Sequence, residues 1–272
     1  MKMELKSKEL PKETMREKVK NTFYKKVTAT GLLLLFSLAP MLANTKTAEA
    51  YDSGTHRQAS SDGFISIGND KGTNIQGYFR EDNMIQTIMD YSIMPDFDEN
   101  LAGHYYDPAT GKNYQGDKIT TANTRFCDHY NNAVAQYKQG NKNLAAQELG
   151  RSIHYFLDLN QPQHAANLPA IGGPRIVSGA HLDYELWVER KRLNYARTST
   201  PESIYDYVLN HNVWQIGHEA AVNAKNNVGY IRNTYYELDD RNKRNATINT
   251  LPRAEQYSAA IMYKFLHDVG KV

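Results

Sequence analysis

The chain has 272 residues, a formal net charge of +2, 40% hydrophobic residues and one cysteine. Cys127 alone excludes an internal disulfide, and so small a net charge excludes nucleic-acid binding driven by global basicity. The start is basic, from Lys2 through Lys26, and an apolar run follows from Gly31 to Ala39. That run is too short for a comfortable membrane span. Ala48-Glu49-Ala50 then supplies small residues in a cleavage pattern. Residues 1–50 therefore read as a secretory signal peptide, with Tyr51 as the mature N-terminus. The remaining 222 residues, 51–272, fit one domain. Removing ten Lys/Arg and five Asp/Glu takes the formal charge from +2 to −3, so the basic character belongs to the signal. A secreted protein with no integral membrane segment in its mature chain is expected. Helices are expected over 79–91, 120–138 and 142–160, the last on the apolar spacing of Leu144, Leu149, Ile153 and Phe156. Further helices are expected near 180–195, 202–226 and 252–269, with Pro201 and Pro252 as helix starts. Segments 66–77 and 172–179 are Gly-rich and read as loops. Hairpin signals are scarce, so the fold class is all-α.

The most informative stretch is Ser152 to His164, which reads His154-x3-Asp158-x5-His164. Positions i and i+4 of a helix share a face, so His154 and Asp158 point to one place. Pro162 then ends the helix, and His164 can fold back toward the same point. Two imidazoles and a carboxylate so placed suit zinc, which takes His nitrogen and carboxylate oxygen. His181 and Glu185 form a second i, i+4 pair. One such pair is usually a solvated helix face; two pairs flanking a loop histidine point to a metal. His56, Asp90 and His104, taken singly, read as surface or hydrogen-bonded residues.

The run His154-Tyr155, Asp158, Asn160-Gln161-Pro162, His164-Ala165-Ala166-Asn167 resembles one found in the bacterial zinc-dependent phospholipase C family. His104-Tyr105-Tyr106-Asp107-Pro108, Asp90-Tyr91, His181 with Tyr184-Glu185, and Gly54-Thr55-His56 resemble further motifs of that family, in order along the chain. The resemblance implies a single multi-helix domain around a trinuclear zinc site. It assigns as ligands His56, Asp90, His104, His154, Asp158, His164, His181 and Glu185, with the mature N-terminal residue, Tyr51, chelating through its backbone. That residue is tryptophan in the family. Tyr91 matches an aromatic member of the head-group pocket, while Leu101 stands where an aromatic belongs. His129, His211, His218 and His267 match no role and are expected to be structural or exposed. No appended membrane-binding domain is expected, so lipid contact falls to the catalytic face.

The implied activity is hydrolysis of the glycerol-side phosphodiester bond of phosphatidylcholine-like lipids, giving diacylglycerol and a phosphorylated head group. The implied cofactor is zinc, three per chain, and the implied partner is a phospholipid or membrane surface. Three cations offset the charge of a phosphodiester anion and lower the pKa of water near them. Asp90 is the candidate for assisting the attacking water. The short interval from Tyr51 to His56 is similar instead to that of zinc nucleases specific for single strands, which share the fold. Nucleic acid is therefore the substrate under the alternative. A non-catalytic zinc-binding or lipid-surface protein is the third reading.

Overall fold

The computed structural model describes residues 53–170, 175–232 and 239–272. The expected signal peptide and Tyr51 lie outside the described residues. Among these the chain is helical, without strands, and one isolated antiparallel bridge joins Asp107 to Lys112. The helices are α1 Ser53–Lys71, α2 Thr73–Gly77, α3 Met84–Tyr91, α4 Pro95–Asp98, α5 Ala122–Lys138 and α6 Lys142–Leu159. They continue with α7 Pro162–Ala165, α8 Arg175–Lys191, α9 Glu202–Asn210, α10 Val213–Asn226 and α11 Asp240–Asp268. The all-α class read from the sequence is the class observed. None of these helices is long and apolar enough to cross a membrane.

Helix α6 is the axis of the domain. Its C-terminal half, Ser152 through Leu159, is buried at every position. A helix covered all round needs neighbours on every side. Here α5 and α3 lie against it, with α10 and α11 beyond them. Leu149, Ile153 and Phe156 face the core as their spacing predicts, while Leu144 at the helix start is exposed. The same burial carries His154 and Asp158 into the interior, where polar groups must find partners. The approach of α3 depends on Gly150. A Cβ there would stand 2.6 Å from the Ile88 carbonyl oxygen and 2.8 Å from the Tyr91 Cβ.

The chain breaks where local chemistry requires it. Thr121 caps α5 in a reciprocal box with Thr124. Gly140, at φ 87°, takes the left-handed turn between α5 and α6. Pro162 ends the α6 run as expected and also opens α7. The Gln161 side chain accepts the Gln163 and His164 N–H groups, and Pro162 sits in the first turn, where its missing N–H costs nothing. His164 is thereby turned back toward α6.

Four expectations are corrected. Segment 66–77 is helical apart from a break at Gly72, because α1 packs on α11 and its burial outweighs glycine's low propensity. Residues 175–179, expected as loop, belong to helix α8, which begins at Arg175. The 202–226 helix is two helices, because the Asn212 side chain caps a new start by accepting the Gln215 N–H. Pro252 lies inside α11 rather than at its start. The carbonyl it leaves unpaired belongs to Ile248, whose side chain is exposed. Cys127 is half-buried against the core, and burial pushes its thiol up to about 12, so it packs as a small apolar group.

Candidate metal centre

Five histidines and three carboxylates converge at the C-terminal end of α6. His154 and Asp158 come from α6, one turn apart. His104 closes a short 3-10 turn, Leu101–His104, and His164 comes from α7. His181 and Glu185 lie one turn apart on α8, and His56 lies near the start of α1. Three groups have ligand atoms all within 4.8 Å of one another: His56, Asp96 and His154; His104, His154 and Asp158; and His164, His181 and Glu185.

The hydrogen bonds fix which ring nitrogens are available. The Nδ1 of His154 meets the Ser92 carbonyl at 2.9 Å. That of His164 meets the His104 carbonyl at 2.7 Å, and that of His181 the Leu168 carbonyl at 2.6 Å. A carbonyl oxygen can only accept, so each Nδ1 carries the proton. Each Nε2 is then a bare lone pair in the neutral ring, the usual arrangement of a metal-binding histidine. His154 Nε2 lies 3.1 Å from His104 Nδ1 and 3.3 Å from Asp158 Oδ2. His104 Nδ1 lies 2.9 Å from the same Oδ2. His181 Nε2 lies 2.6 Å and His164 Nε2 3.7 Å from Glu185 Oε1. His56 Nε2 is 3.8 Å from Asp158 Oδ1, and its ring stacks on His154 at 4.2 Å. Gln161 Nε2 donates to Glu185 at 3.1 Å, and the Tyr105 ring lies flat on His164 at 4.3 Å.

The charges fit ligation. Burial opposes ionisation of Asp158, yet the His154 and His104 rings beside it hold its carboxyl far below the usual carboxylate range. Burial likewise opposes the charged form of Glu185, and His181 and His164 outweigh it to lower its pKa. Burial depresses His154 and His164, which keeps them neutral. Burial also opposes charging of His181, but Glu185 raises it. Asp158 Oδ1 and His164 Nε2 are buried polar atoms with no hydrogen-bond partner. Two imidazoles held neutral, ionised carboxylates, a His181 whose proton a bound cation would displace, and orphaned buried lone pairs are a donor set zinc takes, so the residues fit that ion.

A family model for zinc-dependent phospholipase C matches residues 74–241. The chain belongs to the zinc-dependent phospholipase C family. It is 29% identical over 188 residues to a phospholipase C of Paraclostridium bifermentans, covering 61% of this chain and 46% of that one. It is 26% identical to a phospholipase C of Clostridium perfringens, covering 88% of this chain and 67% of that one. The chain thus spans about half to two thirds of the length of these relatives. The alpha toxin from Clostridium absonum has a similar fold, with a TM-score of 0.70 at 24% identity over 82% of this chain and 66% of that one.

The resemblance to zinc-dependent phospholipases C assigns a ligand role to Asp90, but the structure brings in Asp96. Met84 and Ile88 are the buried positions of α3. Asp90, two residues past Ile88, falls about 200° round the helix at 3.6 residues per turn. There it is half exposed, pairs with Arg57 and accepts from Gln86 Nε2. Asp96, in the first turn of α4, has a buried carboxylate with Oδ1 3.5 Å from His154 Nε2 and 3.7 Å from His104 Nδ1. Tyr91 has the Arg151 guanidinium 5.5 Å from its ring centroid, so a cation already occupies one face. Of the histidines expected to be structural or exposed, His129 bonds Glu148, His218 bonds Tyr106, His211 bonds the Tyr207 carbonyl and His267 is exposed.

Proposed function

We propose that residues 51–272 form the catalytic domain of a secreted zinc phospholipase C. It cleaves the glycerol-side phosphodiester bond of a phosphatidylcholine-like lipid, releasing diacylglycerol and the phosphorylated head group. Family membership supports this reading. The observation that carries it is the set of buried imidazoles with Nδ1 committed to carbonyls and Nε2 turned toward Asp158 and Glu185. Three zinc ions would find ligands here. His104, His154, Asp158 and Asp96 would hold one, and His164, His181 and Glu185 a second. The third would fall to His56, Asp158 and the backbone of Tyr51, once residues 1–50 are removed.

Bound zinc supplies charge to offset the phosphodiester anion and to lower the pKa of water. The protein's part is positional. Asp158 turns Oδ2 toward His104 and His154 and Oδ1 toward His56 and His164, so one ionised carboxylate serves two neighbouring sites. Gln161 orients Glu185 through its amide, and Tyr105 covers His164 and keeps water off that ring. The ligand role expected of Asp90 passes to Asp96, and Asp90, paired with Arg57, takes no part in this reading.

The test uses the secreted protein. Its N-terminus is sequenced, its zinc content is measured, and its turnover is compared on phosphatidylcholine vesicles and single-stranded DNA. A start at Tyr51, bound zinc and diacylglycerol release are expected. Cleavage of DNA with negligible diacylglycerol would assign the chain to nucleic-acid hydrolysis. Bound zinc without turnover on either substrate would leave a zinc-binding protein only.

A further inference from the structure

Behind the rings of His104 and His154 lies a second polar cluster, centred on Glu99. This residue ends α4, its N–H donating to the Pro95 carbonyl at 3.1 Å. It stands three residues after Asp96 and five before His104, midway in the segment that carries both. Its carboxylate faces three donors and an imidazole from two other helices. Oε2 meets Arg125 of α5 and accepts from the Tyr155 hydroxyl of α6 at 2.9 Å. Oε1 accepts from Arg151 Nη1 of α6 at 2.7 Å and lies 3.2 Å from His129 Nε2 of α5. The side chain is only 12% exposed.

The cluster reaches the imidazoles by packing. The Tyr155 ring centroid is 5.1 Å from that of His104 and 5.2 Å from that of His154. The His129 ring is stacked parallel to Tyr155 at 5.7 Å. Arg125 lies against Gly103, where a Cβ would stand 2.6 Å from its Nε. Asp98, one residue away, takes the other nitrogen of Arg151. The segment from Asp96 to His104 has only single-turn helices of its own, so its position is set by what it is tied to.

We infer that Glu99 is a positioning residue: it clamps the segment from Asp96 to His104 onto α5 and α6, and so sets the spacing of those two side chains against His154 and Asp158. The inference rests on the zinc reading of the site. Three donors on one carboxylate, two of them guanidinium groups that repel each other without it, make Glu99 the joint between three chain segments. Its loss would free Asp96 and His104 together, while His181 and Glu185, carried by α8, stay in place and His164 loses only the support of the His104 carbonyl.

The experiment is a stepwise zinc titration of the mature secreted protein against a competing chelator, with helical content and melting of the zinc-free form measured alongside. Asp96→Asn identifies the binding step that belongs to this site. Glu99→Gln, which removes the charge and one acceptor, is expected to weaken that step by about 10- to 100-fold, as loss of a ligand's supporting partner does. The step held by His181 and Glu185, which the segment touches only through the His104 carbonyl on His164, is expected to weaken less, and the zinc-free helical content to stay as in the wild type. Tyr155→Phe removes one donor and keeps the ring. It is expected to weaken the same step, and to add less in the Glu99→Gln background than alone, since residues in one network do not act additively. It decides the matter should Glu99→Gln not fold. A zinc-loaded wild type matched at every step by its variants would overturn the clamp, and so would equal weakening of all steps with lower melting of the zinc-free form. A wild type that takes up no zinc removes the metal reading and the clamp with it, a result distinct from either.

Discussion

Replacing Gly150 with alanine adds one methyl group to α6 and sets two effects against each other. In an isolated helix the change is favourable by about 1 kcal/mol, because alanine is the better helix former. In this fold the new Cβ would stand 2.6 Å from the Ile88 carbonyl oxygen, 2.8 Å from the Tyr91 Cβ and 3.1 Å from the Ser92 nitrogen. Ordinary contact begins near 3.4 Å, and two of these three atoms are backbone. The end of α3 must therefore retreat by about 0.8 Å, since backbone cannot rotate aside; overpacking of this kind costs about 1–3 kcal/mol. The retreat also draws the Ser92 carbonyl away from His154 Nδ1, now 2.9 Å off, and a buried hydrogen bond so weakened costs roughly 1 kcal/mol more. Strain outweighs propensity, and a net loss of about 1–3 kcal/mol is expected in urea unfolding of the zinc-free protein. Zinc affinity is expected to fall by about tenfold or more, because the carbonyl that fixes the His154 tautomer has moved. A zinc-free variant as stable as the wild type, with unchanged zinc affinity, would refute the account of how α3 and α6 meet.

Asp96→Asn should lower zinc content and hydrolysis sharply, whereas Asp90→Asn should leave zinc stoichiometry unchanged; metal analysis of the two variants separates the carboxylates. Chelation should lower the melting temperature by roughly 10 °C, since a site held at a thousandfold excess over its Kd adds about 4 kcal/mol to folding; calorimetry with and without chelator measures it. Glu255 is buried on α11, and burial, with Asp62 of α1 adding to it, pushes its carboxyl up to about 9 from 4.5. The folded protein therefore holds a proton there that the unfolded chain releases above 4.5, so stability falls as pH rises from about 4.5 through about 9, by at most about 1.4 kcal/mol per unit. Glu255→Gln should flatten that slope and gain on the wild type most at pH 9; parallel urea-unfolding profiles from pH 5 to 9 would count against a protonated Glu255.

What could be read in the sequence was local and periodic. The helices α5 and α6 follow from apolar spacing and from breakers at Gly140 and Pro162, which act on their own neighbours. The i, i+4 pairs His154/Asp158 and His181/Glu185 lie within single helices, and helical geometry alone aims each pair at one point. The errors came where distant packing decides. Helix α1 runs through a glycine-rich stretch because α11 covers it, and α11 runs through Pro252 because its flanks are buried on both sides of the break. Propensity is a small quantity beside the burial of a helix face.

The carboxylate upstream of His104 marks the boundary between these two kinds of information. Asp90 and Asp96 both precede His104 in a segment with several turns, and spacing along the chain does not rank them. Burial does, and part of that burial was written in the sequence. Met84 and Ile88 lie one turn apart and define the inward stripe of α3, which places residue 90 on the outer face. Asp96 follows Pro95, which opens a new turn and redirects the chain, so no stripe from α3 extends to it. Its inward aim depends on where that turn sits against α5 and α6. The ties that hold it there run through Asp98 and Glu99 to Arg125, His129, Arg151 and Tyr155, residues some 25 to 60 positions further along the chain. A helix can aim its own pair of ligands; a ligand on a short connecting turn is aimed by whatever the turn is tied to, and only the folded chain names those partners.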